Sequence, residues 1–154
     1  MSSEDFVEEA GLYFERLGLS RTAGRVMGVL LLSDDDGMDL PELREELGAA
    51  KSSISVAVGR LAQAGLVERF RRPGARRDRY RLTRDVFGRA FRSKMAEFQR
   101  FQELAEHGLA VVGDDPRRRE RLENMRDMYA FMAEGFPRLL AEWERTRQAP
   151  SHRP

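Results

Sequence analysis

The sequence predicts a mainly α-helical chain with one small β-hairpin, an α+β fold. Apolar residues repeat at helical spacing over most of the 154 positions. One arginine-rich stretch reads instead as two short strands around Pro73 and Gly74, residues that favour a turn. The length suits a single domain with a helical extension and excludes two independent enzymatic domains.

Two short helices are predicted in the first half of the chain. The first begins after Ser20, a residue type that caps helix N-termini, and ends at the cluster from Asp34 to Gly37. Its apolar positions share one spacing: Ala23, Val26, Met27, Leu30 and Leu31. In the second, Asp39 and Glu42 have the spacing of a capping box, and Gly48 supplies a C-terminal stop. Its apolar stripe consists of Leu40, Leu43 and Leu47.

A third helix is predicted over residues 51–65, after a turn of about four residues. One of its faces is apolar: Ile54, Val58, Leu61 and Gly65. The opposite face is small or polar around one valine: Ser52, Ser53, Val56, Gly59, Arg60 and Gln63. Such a face can enter a DNA groove, where serine hydroxyls, a valine methyl and a guanidinium all find partners. An ordinary surface helix carries similar residues, so the interpretation depends on the helix and turn before it.

The hairpin over residues 66–82 is called the wing below. LVERFRR and RDRYRL are its predicted strands and PGAR its turn, so Arg76 and Arg77 lie near the tip. A guanidinium there can enter a minor groove or bind phosphates. Arg72, Arg79 and Arg81 are predicted to contact the DNA backbone, and Asp78 to orient neighbouring arginines.

Charge is strongly segregated along a chain whose formal net charge is only +1. Residues 1–50 carry 4 basic and 12 acidic side chains, whereas residues 51–94 carry 13 basic and 3 acidic ones. Residues 95–154 carry 10 and 11. A local excess of +10 favours a polyanionic partner. The alternative is a charged surface that is merely solvated.

Three stretches together resemble the winged helix-turn-helix regulators of the GbsR type, within the MarR-like group. They are GLSRTAGRVMGVLLLS at 18–33, LPELREELGAAKSSISVAVGRLAQAGLVERF at 40–70 and RPGARRDRYRLT at 72–83. The resemblance implies a homodimer that binds double-stranded DNA at a pseudo-palindromic operator, and it favours a repressor. The helix residues that it places on DNA are Lys51, Ser52, Ser53, Ser55, Val56 and Arg60. The wing residues are Arg72, Arg76, Arg77 and Arg79. Ala50 stands where such helices often carry a serine cap.

Two long helices are predicted after the wing, over Asp85 to Val112 and from Pro116 onwards, with a kink at Pro137. A stripe on the second helix has coiled-coil spacing and is called the seam: Leu122, Met125, Tyr129, Met132, Phe136, Leu139 and Trp143. We expect the seam to pair with its copy in a symmetric dimer. An intramolecular hairpin in a monomer is the alternative.

Four segments follow from these patterns. Residues 1–17 form an N-terminal helix that contributes to dimerisation, and residues 18–84 form the winged helix DNA-binding domain. Residues 85–147 form the helical dimerisation region, and residues 148–154 a flexible tail.

No catalytic, metal or cofactor site is predicted. The chain has no cysteine, and neither of its two histidines, His107 and His152, has ligand or nucleophile spacing. No GxGxxG or phosphate loop is present. Tyr13, Phe91, Tyr129 and Trp143 are aromatic residues that could enclose a cationic small-molecule effector, but the seam explains them as well, so no effector residue is assigned.

The chain is expected to be soluble and cytoplasmic. Its N-terminus lacks a signal peptide, and no stretch approaches the roughly 20 apolar residues of a membrane span. Two other functions remain possible: an architectural protein that binds DNA without sequence preference, and a winged-helix module that binds an acidic protein.

Overall fold

The computed structural model describes residues 1–148, which form six helices and three strands in two compact units, Met1–Val86 and residues 87–148. The first unit contains α1 (Ser3–Arg16), α2 (Arg21–Leu32), β1 (Met38–Asp39), α3 (Leu40–Leu47), α4 (Lys51–Gln63), β2 (Val67–Phe70) and β3 (Arg79–Leu82).

 The second unit contains α5 (Val86–Val112), whose first residue is also the last residue of the first unit, and α6 (Pro116–Gln148). The predicted tail, residues 148–154, lies outside the described residues except for Gln148, which ends α6.

The helix boundaries of the first unit follow the predicted caps. The Ser20 hydroxyl accepts a hydrogen bond from the amide of Ala23 at 3.2 Å and starts α2. Asp39 and Glu42 exchange hydrogen bonds of 2.9 and 2.7 Å between side chains and backbone amides, which is the predicted capping box of α3. Gly48 ends α3 in the left-handed conformation, with φ of 56°. These local predictions are confirmed.

The core of the first unit is built around α2, which is buried on most of its surface. Val26 and Met27 expose 0% and 1% of their surface, so α2 has no broad solvent face. Helix α1 packs on α2 through Val7, Ala10 and Gly11, and therefore belongs to the same compact unit as the helices that follow it. The predicted contribution of residues 1–17 to dimerisation stays a prediction.

The sheet has three strands in the order β1-β3-β2, all antiparallel. Strands β2 and β3 form the predicted hairpin, with Arg69 opposite Tyr80. Strand β1 was not predicted, because two residues are too few to show an alternating pattern. It pairs Met38 with Tyr80, and so attaches the wing to the residue that caps α3.

The second unit is a hairpin of two long helices joined at residues 113–115. Helix α5 begins one residue later than predicted, because Asp85 has a φ of 59° that a right-handed helix does not allow. Helix α6 begins at Pro116, as predicted, and continues through Pro137 to Gln148. None of the helices in residues 1–148 combines the length and apolar character that a membrane span requires.

Candidate nucleic-acid interface

Helix α4 is fixed in the first unit by one apolar face. Ile54, Ala57, Val58 and Leu61 are buried in the core together with residues of α2 and α3. Ala50 precedes the helix and offers no side-chain cap, so the first turn of α4 keeps amide groups that no side-chain cap satisfies. The burial of one face determines which side chains remain at the surface.

The opposite face of α4 is exposed over its whole length. Its members are the residues predicted from the sequence: Lys51, Ser52, Ser53, Ser55, Val56 and Arg60. Val56 exposes 55% of its surface, although it is apolar. A Cβ atom built on Gly59 would meet no neighbouring atom within 4 Å, so the space beside this part of the face is open. The structure therefore brings the predicted helix residues together on one accessible surface.

The turn of the wing lies between Arg72 and Ala75, whose amide donates to the Arg72 carbonyl at 3.0 Å. Gly74 has a φ of 77°, the left-handed value that glycine adopts without strain. Arg76 and Arg77 follow this turn and are exposed. Arg76 has no ion pair among residues 1–148, which leaves its guanidinium available.

Arg77 is exposed but tethered to α3. Its side chain is 70% exposed, and Nη1 lies 3.4 Å from Oδ2 of Asp39. The other oxygen of Asp39 accepts the amide of Glu42, so one carboxylate caps α3 and holds a wing arginine. The tip of the wing is thus connected to the helix-turn-helix.

Arg79 is placed differently from the sequence prediction. Its Nε and Nη2 donate to the backbone carbonyls of Asp36 and Gly37 at 2.8 and 2.6 Å, and Nη2 lies 3.1 Å from a Glu42 oxygen. Only 18% of the side chain is exposed. A guanidinium with this many partners inside the unit is poorly placed to contact DNA, because contact would require several bonds to break.

Carboxylates of the first unit pair with most of the wing arginines. Arg72 lies 2.7 Å from Asp36, and the guanidinium of Arg81 pairs with Glu68 and stands 4.4 Å from the ring centre of Phe70. The cluster from Asp34 to Gly37 was predicted only to end a helix. The sequence did carry a signal for a further role, since this acidic run and the arginine run of the wing have opposite charges.

Asp78 pairs with two wing arginines, as the sequence suggested. Arg71 Nε donates to its Oδ1 at 2.8 Å, and Arg69 forms a second ion pair. The hydrogen bond from Arg71, with a further contribution from Arg69, lowers the pKa of the Asp78 carboxyl below its ordinary value. This arrangement joins both sides of the hairpin close to its turn.

The seam on α6 is partly used inside the second unit. The ring of Tyr129 stacks on that of Phe101 with centroids 4.6 Å apart. The rings of Phe136 and Phe98 meet edge to face, with centroids 5.5 Å apart. Leu139 and Trp143 remain 62% and 55% exposed. The intramolecular hairpin, which the sequence left as an alternative, therefore accounts for Tyr129 and Phe136, and the exposed remainder of the seam is available to a partner.

A cleft of about 320 Å³ lies in the second unit between the start of α5 and the end of α6. Its lining is apolar: Phe87, Gly88, Phe91, Phe136, Leu139, Leu140 and Trp143. Of the four aromatic residues considered for an effector, Phe91 and Trp143 line this cleft, whereas Tyr129 is stacked on Phe101 and Tyr13 meets Phe14 edge-on in the first unit. Within residues 1–148, no group of three or more histidine or carboxylate side chains is arranged to hold a metal ion.

Two family models match the chain. Residues 17–78 match the MarR family, and residues 85–147 match the MmpR5-like MarR family transcriptional regulators. The chain is 39% identical over 129 residues to the HTH-type transcriptional regulator MmpR5 of Mycobacterium tuberculosis, which covers 83% of this chain and 78% of that protein. It is 28% identical over 86 residues to the HTH-type transcriptional repressor OpcR of Bacillus subtilis, covering 56% and 46% of the two chains.

A solved structure has the same fold. The crystal structure of a transcriptional regulator superposes with a TM-score of 0.75 at 35% sequence identity, and covers 93% of this chain and 98% of its own. The predicted resemblance to MarR-like winged helix-turn-helix regulators is confirmed. The narrower GbsR-type assignment stays a prediction.

Proposed function

Because the chain belongs to the MarR family of DNA-binding transcriptional regulators, which are not enzymes, we propose that it acts as a homodimer on a pseudo-palindromic operator and represses transcription there. The exposed face of α4 carries this proposal. The opposite face of α4 is buried in the core, so the position of the helix backbone is fixed and its exposed residues share one surface. We also infer a cytoplasmic location.

The α4 face has the chemistry of direct base readout. Hydroxyls of Ser52, Ser53 and Ser55 donate or accept at base edges and phosphates, and Val56 offers methyl groups to a thymine methyl. Arg60, one turn further along, reaches a guanine or the DNA backbone. Helix-turn-helix proteins insert the N-terminal part of this helix into the major groove, and Lys51 then lies beside phosphates.

The wing supplies charge next to this helix. We place two wing residues on DNA, Arg76 and Arg77. Arg76 has no ion pair in the described part of the chain, and Arg77 has a single ion pair, with Asp39 at 3.4 Å. They are suited to a minor groove or to phosphates. Arg72 reaches DNA only by leaving Asp36, and Arg79 acts by positioning the wing rather than by touching DNA.

Exposed apolar residues support the homodimer. Leu139 and Trp143 of the seam are more than half exposed, and so are Phe131 on α6 and Leu17, which follows the last residue of α1. Large apolar side chains at the surface are typical of an interface. A two-fold axis would present two α4 helices to half-sites about 34 Å apart. Repression follows from occupancy of a promoter, and the relative OpcR is named a repressor.

Selection of bound duplexes from a random pool tests this function. We expect a palindromic consensus, because a symmetric dimer reads two equivalent half-sites. A salt titration with the selected duplex and a random one then separates the other two functions. An architectural protein would bind both duplexes alike, and a module for acidic proteins would enrich no duplex.

A further inference from the structure

The turn Asp34–Gly37, called the acidic turn below, is held in place by arginines of strand β3. Arg79 donates to the carbonyls of Asp36 and Gly37 at 2.8 and 2.6 Å, and Arg81 Nη1 donates to the carbonyl of Asp35 at 3.2 Å. These bonds use only backbone oxygens of the turn. The wing therefore holds the main chain of the acidic turn through bonds that do not involve its carboxylates.

One of those carboxylates pairs with a wing arginine. Oδ2 of Asp36 lies 2.7 Å from Nη2 of Arg72, and the two side chains are 67% and 46% exposed. An ion pair this open to water contributes little to stability, so its partners are easily exchanged. A carboxylate and a DNA phosphate also offer a guanidinium the same ligand, an anionic group with two oxygens.

We propose that Asp36 occupies Arg72 in the place that a DNA phosphate would take, and thereby lowers the sequence-independent part of the affinity for DNA. The inference rests on the proposed function, because it concerns the strength of the same interface. A phosphate gains Arg72 only by displacing Asp36, and the displaced carboxylate then lies beside the phosphate backbone and repels it. Arg72 contacts no base in this scheme, so the competition affects all sequences equally.

The test measures the affinity of the full chain for a random duplex and for the duplex selected from the pool, over a series of salt concentrations. Asp36→Asn is expected to tighten binding to both duplexes by the same factor, about two- to tenfold at low salt. The slope of log affinity against log salt concentration should become steeper by up to about 0.9, because Arg72 then neutralises one more phosphate and DNA releases the counterion of that phosphate. The ratio between the two affinities should not change.

Asp35→Asn is the matched control. It removes the same charge from the same turn, but Asp35 contributes to the described contacts through its backbone carbonyl to Arg81. We expect a smaller change in affinity and no change in the salt slope. In an Arg72→Gln background, Asp36→Asn should have no further effect on the slope, because the competing arginine is absent. Urea unfolding of each variant confirms that the fold is intact.

Three outcomes separate the possibilities. Equal tightening by Asp36→Asn and Asp35→Asn would overturn the inference, since net charge alone would then explain it. An unchanged affinity in Asp36→Asn, in a parent that binds DNA, would overturn the inference and leave the proposed function intact. A parent that binds neither duplex would overturn the proposed function, and this inference with it.

Discussion

Gly37 lies directly against the backbone of Tyr80. A Cβ atom on Gly37 would overlap the carbonyl oxygen of Tyr80, far inside van der Waals contact, and the residue has a φ of 59°. Two separate constraints therefore select glycine at this position: the left-handed backbone and the closeness of strand β3. The connection between the acidic turn and the wing depends on both.

Gly37→Ala should lower the free energy of unfolding by about 3 kcal/mol or more, because backbone strain and steric overlap add. Gly74→Ala is the control: its φ of 77° is also left-handed, but its Cβ would meet no atom within 4 Å. That variant should lose only about 1 kcal/mol. Urea unfolding measures both, and similar losses at the two positions would contradict the close approach.

Asp39→Ala should destabilise the first unit by about 0.5–2 kcal/mol, since the cap of α3 is lost. Asp39→Asn keeps a capping side chain but removes the charge that faces Arg77. We expect it to unfold close to the parent. If Asn destabilised as much as Ala in a urea titration, the Arg77 contact rather than the cap would be the important role of Asp39.

Arg79→Lys should reduce stability by about 1–3 kcal/mol, because a lysine lacks the planar fork that binds two carbonyls at once. Arg76→Lys should leave stability within about 0.5 kcal/mol of the parent, as for other exposed side chains without fixed contacts. Equilibrium unfolding compares the two. Equal stability of both variants would show that Arg79 is not a positioning residue.

Arg76→Ala is expected to weaken binding to every duplex and to make the salt slope shallower by about 0.9, the effect of losing one phosphate contact. Val56→Ala should instead change the preference among duplexes at thymine positions, with little change in the slope. Competition binding with single-base variants of the selected duplex measures this. A uniform loss of affinity in Val56→Ala would place that residue away from the bases.

Asp78→Asn should make the free energy of unfolding depend less on pH in the acidic range. The hydrogen bond from Arg71 gives this carboxyl a folded pKa below the unfolded value of 3.8. Its stabilising contribution is therefore present above pH 3.8 and is lost as the pH falls through the folded pKa. Urea midpoints measured over that range should fall less steeply in the variant than in the parent, and parallel curves would contradict the pKa shift.

Local signals predicted the helices well. Ser20, the Asp39 and Glu42 pair, Gly48 and Pro116 are all read from neighbours a few residues away, and all mark helix ends in the structure. Contacts between distant segments were not predicted. Strand β1 is too short to have a pattern, and it exists because β3 lies beside it.

In the candidate site too, local features were predicted from the sequence and contacts between distant residues were not. Helical periodicity assigned the exposed face of α4, because one turn of a helix fixes which residues share a side. The arginines of the wing looked equivalent in the sequence, yet Arg76 is exposed without an ion pair in the described chain, while Arg79 is held by Asp36, Gly37 and Glu42. Those partners lie about forty positions away, and only the folded sheet brings them to Arg79.

The open space around Gly59 has one more consequence. No contact within the first unit requires glycine at this position, and alanine would stabilise the helix by about 1 kcal/mol. Because Gly59 has no side chain, the backbone of α4 is accessible at that position, and a bound molecule can contact the backbone atoms directly. The methyl group of an alanine at position 59 would keep a bound molecule farther from the helix backbone.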